Sequence, residues 1–167
     1  NFAAGILMIV FRPFRVGDWI EANGVNGIVE EIQVLTTAIV TLNGVQIVIP
    51  NGKLIDRNIV NYTHKPARRI DLIIGIDYSE DSDRVKQVIR DALADDPRIL
   101  AEPALTVGIL ELGEEIVRFA VRPWVTPAHY WPVYFDTNER IKKALDAAGI
   151  AFAIPARNIY FHKSDRS

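Results

Sequence analysis

The first eleven residues, Asn1-Phe-Ala-Ala-Gly-Ile-Leu-Met-Ile-Val-Phe11, constrain this chain more than any other stretch, because ten of them are apolar or glycine. The run is too short to span a bilayer, which takes ~20 residues. It is also too apolar for an ordinary surface helix, which keeps one polar face. Two readings fit it: a buried amino-terminal helix, or the end of a longer membrane helix. Arg12 and Arg15 follow at once, and cations suit both the negative end of a helix and the cytoplasmic boundary of a membrane. Pro13 lacks an N–H and disfavours helical geometry at Arg12, so the helix stops there. No basic stretch precedes the run and no cleavage site follows it, so it does not read as a signal peptide. A start at Asn1 rather than Met reads as a fragment or a processed product.

Beyond Arg15 the period changes. Ile and Val supply 38 residues against 11 Leu, a bias toward β structure. Asp18 to Ala22 reads as a strand, followed by an Asn23-Gly24 turn. Val25 to Ile32 and Val34 to Leu42 follow. Asn43-Gly44 between two apolar runs is a hairpin signal, and Val45 to Ile49 is the return strand. Pro50-Asn51-Gly52 reads as a turn, Lys53 to Arg57 as a helical turn at most, and Ile59 to Tyr62 as a last short strand. Five short strands in so small a span predict a closed or nearly closed barrel of OB or Sm-like type.

The polar link Thr63-His64-Lys65-Pro66 marks a boundary, and a mixed pattern follows. Arg69 to Tyr78 reads as a strand. Ser79 to Ser82 offers helix caps, and Val85, Val88, Ile89, Ala92 and Leu93 make one apolar stripe that ends at Asp95-Asp96-Pro97. Leu105 to Leu112 and Ile116 to Val125 form a hairpin around Gly113. A second helix runs from about Tyr130 to Ala148, with Tyr134, Ile141, Leu145 and Ala148 inward and Gly149 closing it. With Ile159 to His162 as a final strand, the order is βαββαβ, the ferredoxin-like pattern. The fold class is therefore α+β.

The sequence offers little chemistry. No cysteine is present, which removes disulfides, thiolate metal sites and cysteine nucleophiles. His64, His129 and His162 lie near no paired acidic motif, and Glu111, Glu114 and Glu115 read as a solvated hairpin tip. Asn23-Gly24-Val25-Asn26-Gly27 lacks the lysine of a phosphate loop, and Ser79, Ser82 and Ser164 have no nucleophile-elbow context. Nothing argues for an enzyme, and no catalytic, cofactor or metal residue is assigned. The formal net charge of −2 disfavours a nucleic-acid binder. An alternative nonetheless remains from the barrel pattern: Trp19, Phe14 and Tyr62 as stacking platforms for single strands. A purely structural oligomerisation module is a third reading.

The strings Asn1-Phe-Ala-Ala-Gly5, Phe11-Arg-Pro-Phe-Arg-Val-Gly-Asp-Trp-Ile20, Gly27 to Ile32, Val48-Ile-Pro-Asn-Gly52 and Ile59-Val-Asn61 resemble, in order and spacing, the bacterial mechanosensitive channel of small conductance (MscS) family. The resemblance implies a membrane-tension-opened ion channel that releases ions and small osmolytes on hypoosmotic shock. It implies a homo-heptamer in the bacterial inner membrane, in contact with membrane lipids, with most of this chain in the cytoplasm. Residues 1–12 correspond to the lower half of the pore-lining third membrane helix, including Ala3, Ala4, Gly5 and Phe11. Residues 13–65 correspond to an Sm-like β domain and 66–155 to an α/β domain. Residues 156–167 correspond to the strand and tail of an intersubunit parallel β-barrel, which competes with placing Ile159 to His162 in the ferredoxin-like sheet. Two membrane helices and the upper half of the third, with the constriction that closes the pore, are expected before Asn1. Arg12 and Arg15 match a membrane boundary. Asn1, Asn51 and Gly52 match positions where the lower helix docks on the β domain, although a tight turn explains Asn51 and Gly52 equally well. His64, Lys65, Arg68 and Arg69 fall near the side portals, as a basic rim or as a solvated linker.

Overall fold

The computed structural model describes residues 2–153. They divide between two compact units, one ending at Arg68 and the other beginning at Arg69. The expected strand over Ile159 to His162, and with it the tail 156–167, lies outside the described residues.

The first unit opens with helix α1 (Phe2–Phe11). Strands β1 (Trp19–Ala22), β2 (Val25–Ile32), β3 (Thr36–Val40) and β4 (Gln46–Pro50) follow, then helix α2 (Asn51–Ile55) and strand β5 (Ile59–Asn61). The sheet order is β4-β3-β2-β1-β5, antiparallel throughout. Asn23 and Gly24 take φ of 53° and 77°, the left-handed pair that a two-residue hairpin requires. Gly44, at φ 83°, turns β3 into β4.

Two expectations are corrected here. First, β4 and β5 stand at opposite edges of the sheet, so the sheet is open where a closed or nearly closed barrel was expected. Pro50 leads the chain out of β4 straight into α2, and fully buried Leu54 of α2 covers the core formed by Ile20, Val29, Ile39 and Ile49. A helix thus supplies the apolar cover that a closing ladder would have given. Second, Pro50-Asn51-Gly52 is not a free turn. Pro50 is the residue preceding α2, and Asn51 and Gly52 form its first turn.

The second unit contains β6 (Leu72–Ile76), α3 (Ser82–Leu93), β7 (Thr106–Leu112), β8 (Val117–Arg122) and α4 (Tyr130–Ala147). The sheet order is β6-β8-β7, as in a ferredoxin-like unit. Ile76 forms an antiparallel bridge to Phe152, and the Ala153 N–H donates to Gly75 O, so residues 151–153 stand at the free edge of β6. Asp81, not a serine, caps α3 by accepting from the Arg84 N–H at 2.7 Å. Val85, Ile89 and Leu93 of α3 and Val133, Ile141 and Leu145 of α4 close a single core over Leu72, Ile74, Phe119 and Val121. Tyr134 and Ala148 pack at its margin, while Val133 and Thr137 are the inward residues that the sequence stripe omitted.

Candidate functional site

Helix α1 is seated by a narrow stripe, Ala4, Gly5 and Met8. Ala3 is exposed, as are Phe2, Ile6, Leu7, Ile9 and Val10, and Phe11 is 75% exposed. Gly5 makes the close approach: a Cβ there would lie 1.9 Å from the Val34 carbonyl oxygen. Only glycine lets the helix backbone come that near.

The loop that receives Gly5 is built by Asn51. Its Nδ2 donates to Gln33 O at 2.8 Å and to Val34 O at 3.1 Å, and its Oδ1 accepts from Thr37 Oγ1 at 2.8 Å. Its backbone N–H donates to Leu35 O at 2.9 Å. Asn51 is fully buried, so both amide donors are used within the unit. The Gln33 N–H donates to Thr36 O at 2.8 Å, closing a two-residue turn over Val34 and Leu35, so β3 starts at Thr36 rather than Val34, and the Asn51 bonds brace that turn. Gly52 is half-buried beside it, and Asn1 lies outside the described residues. The visible seat thus runs through Gly5 and Val34, a pair that sequence reasoning missed. Its one signal was a glycine inside an otherwise bulky apolar helix, which can mark close backbone approach as well as flexibility.

Arg12 closes α1 in the left-handed region, at φ 44°. Its N–H donates to Met8 O at 3.0 Å and its Nε to Ile9 O at 3.4 Å, so the cation sits on the helix's last carbonyls. An open groove beside it is lined by Met8, Ile9, Phe14, Val16 and Ile32, with Arg12 and Arg15.

Past that turn, the Asp18 carboxylate gathers three donors. Oδ2 accepts from Arg15 N at 2.9 Å and from Asn61 Nδ2 at 2.8 Å, and Oδ1 accepts from Thr63 Oγ1 at 3.0 Å. Burial opposes its ionisation, but the bonds from Asn61, Arg15 and Thr63, with His64 nearby, outweigh that and hold its pKa below the usual carboxylate value.

The linker residues differ in setting. His64 and Lys65 are exposed. The Arg68 guanidinium lies 4.6 Å from the Trp19 ring centroid and 4.4 Å from that of Tyr62, so it acts as a clip over two aromatics. Arg69 pairs with Asp71 at 2.8 Å, and Arg122 reaches the same carboxylate at 3.3 Å. The stacking platforms of the nucleic-acid alternative are closed. Phe14 is in the core, Trp19 is 8% exposed with its indole N–H donated to Asn26, and Arg68 covers Trp19 and Tyr62.

Elsewhere, Glu111 pairs with Arg118 at 3.0 Å, and His129 Nδ1 lies 3.1 Å from Thr126 Oγ1. Among the described residues, no three of His, Asp or Glu converge as a metal-ligand set. Likewise, no described helix is long and apolar enough to cross a membrane.

Comparison with known proteins agrees with this geometry. Residues 1–64 match a family model described as the mechanosensitive ion channel β-domain. Residues 70–152 match one described as the mechanosensitive ion channel MscS, C-terminal. The chain is 42% identical over 98% of its length to a small-conductance mechanosensitive channel of Edwardsiella ictaluri, of which it covers 57%. It is 33% identical over 99% of its length to the small-conductance channel MscMJ of Methanocaldococcus jannaschii, covering 48% of that protein. Its fold matches the closed-state crystal structure of Helicobacter pylori MscS with a TM-score of 0.88 and 30% identity, over 98% of this chain and 65% of that one. The chain spans about half the length of the curated relatives it matches.

Proposed function

The chain belongs to the MscS family of mechanosensitive ion channels, and from that premise we propose that it forms the lower pore helix and cytoplasmic vestibule of a tension-gated channel. The family is one of channels, not an enzyme class. The observation that carries the reading is α1 itself: ten residues without a polar side chain, seated by Ala4, Gly5 and Met8 and otherwise bare. Such a helix needs lipid, neighbouring copies or both around it.

Membrane tension favours the state of larger in-plane area, so stretch shifts a closed–open equilibrium. Opening a constriction upstream of Asn1 then wets the pore and lets ions and small osmolytes pass. In this reading Ala3, Ala4 and Gly5 give α1 a slim face for packing around a pore, and Phe11, Arg12 and Arg15 stand at the cytoplasmic membrane boundary. The channel is a homo-heptamer of the bacterial inner membrane in contact with its lipids. His64 and Lys65 supply the basic part of the portal rim, while Arg68 is held on Trp19 and Tyr62. Gly5 on Val34, supported by Asn51 with Gly52 beside it, is the place where the pore helix rests on the β domain. Patch recording of the full-length protein in bilayers under suction tests the proposal. Stepwise currents that grow with suction are expected, and a silent, correctly inserted protein refutes it.

A further inference from the structure

Two stretches far apart in sequence, residues 15–18 and 61–64, meet at Asp18. The turn leaving α1 reaches it through the Arg15 N–H, the end of β5 through Asn61 Nδ2, and the linker through Thr63 Oγ1. Each partner is bonded again. Asn61 Oδ1 accepts from the Thr63 and His64 N–H groups at 3.0 and 2.9 Å, and Asn61 Nδ2 also reaches Pro13 O at 3.4 Å. Thr63 Oγ1 accepts from the Trp19 N–H at 3.1 Å. Asp18 is itself anchored in the sheet, because its carbonyl accepts from the Val29 N–H at 2.8 Å. A carboxylate has only acceptors to offer, and here three donors, one from the adjoining turn and two from residues 61–63, occupy it. Charge-assisted bonds of this kind are the strong ones.

We propose that Asp18 is a positioning residue that fastens the exit of the pore helix to the linker, so that residues 13–15 and 61–64 move as one body when the helix moves. The inference rests on the channel reading. On it, displacement of α1 is delivered to the linker rather than absorbed in the Pro13–Gly17 turn.

The test uses the full-length protein in bilayers, with Asp18→Asn, Thr63→Val and their double variant, each first checked for parent-like assembly. Asn keeps the shape of Asp18 but removes its charge and leaves one oxygen to serve the three donors. Under the proposal, hydrogen exchange at Arg15 and His64 quickens together, about tenfold, in either single variant, and the double variant adds little. Under suction, both singles shift the decay of current under sustained tension in the same direction. Thr63→Ser retains the hydroxyl and behaves like the parent, and it carries the comparison if Asp18→Asn fails to assemble. Faster exchange at Arg15 with His64 unchanged would overturn the proposal, as would additive effects or unaltered current decay in both singles. A parent protein that passes no current sinks the channel reading instead, and the exchange comparison still judges the tie.

Discussion

Asp96 shows how far one residue can depart from its local pattern. In Asp95-Asp96-Pro97 it reads as a helix stop, yet its side chain is 1% exposed. Arg98 grips it twice, Nε to Oδ1 at 2.9 Å and Nη2 to Oδ2 at 2.7 Å, and also reaches Asp136 at 2.7 Å. Arg140 stands 4.0 Å away. The hydrogen bonds from Arg98 outweigh burial, so the Asp96 pKa lies below the ordinary carboxylate value. The linkage sign follows: a lowered folded pKa gives stability that is fully present above the unfolded value of ~4 and lost as pH falls through the folded one. Asp96→Asn should therefore cost roughly 2 kcal/mol at pH 7, and its gap from the parent should narrow below about pH 4. Denaturation midpoints of both proteins at pH 7 and pH 3 check this; a gap that stays constant means that the pair owes nothing to ionisation. Arg98, two residues along, is the local partner that distinguishes Asp96 from exposed Asp95, whereas Asp136 and Arg140 lie on α4 and only tertiary packing brings them near.

Elements were legible where a local rule sets them. Asn23, Gly24 and Gly44 turn the chain at positive φ, and Val85, Ile89 and Leu93 of the α3 stripe are buried as their spacing requires. They were illegible where one element overrides another. Val34 and Leu35 fit a strand pattern, but they form the turn between β2 and β3, closed by Gln33 and Thr36 and braced by Asn51, and that turn becomes the seat of α1. The barrel failed to close because α2 covers the core in place of a ladder, which no strand pattern announces. The apolar helix α1 was legible in its composition, whereas Gly5's partner and the Arg68 clip needed coordinates. The seat yields a prediction at this scale. Gly5→Val puts a branched Cβ where the Val34 oxygen stands, so α1 must lift or the loop must move. The full-length protein should lose ~1–3 kcal/mol of stability, the usual cost of overpacking. Urea unfolding followed by tryptophan fluorescence measures it, and an unchanged midpoint would mean that α1 does not rest on Val34 in the intact protein.

At the scale of the whole molecule, the chain leaves too much apolar surface for a solitary protein. Phe2, Ile6, Leu7, Ile9, Val10 and Phe11 are bare along α1, and in the second unit Ile109, Leu110 and Leu112 are bare on the edge strand β7. An unpaired apolar edge invites another chain, and a helix as apolar as α1 is seldom left in water. An apolar edge strand such as β7 calls for pairing with more protein, whereas lipid or protein can cover α1. That bare edge asks for more protein against β7 without fixing a copy number; the proposed heptamer would supply it. Like charge does not oppose association, since the formal net charge of this chain is only −2 and self-repulsion between copies stays weak at physiological salt. Native mass measurement of the full-length protein, released from bilayer discs, should give a single species of seven chains. Leu112→Lys would place a cation in the expected interface and should lower the share of that species while leaving each chain folded. A parent that is monomeric in intact bilayer discs would refute the assembly, and a Leu112→Lys protein that still forms seven-chain rings in full yield would remove β7 from the contact.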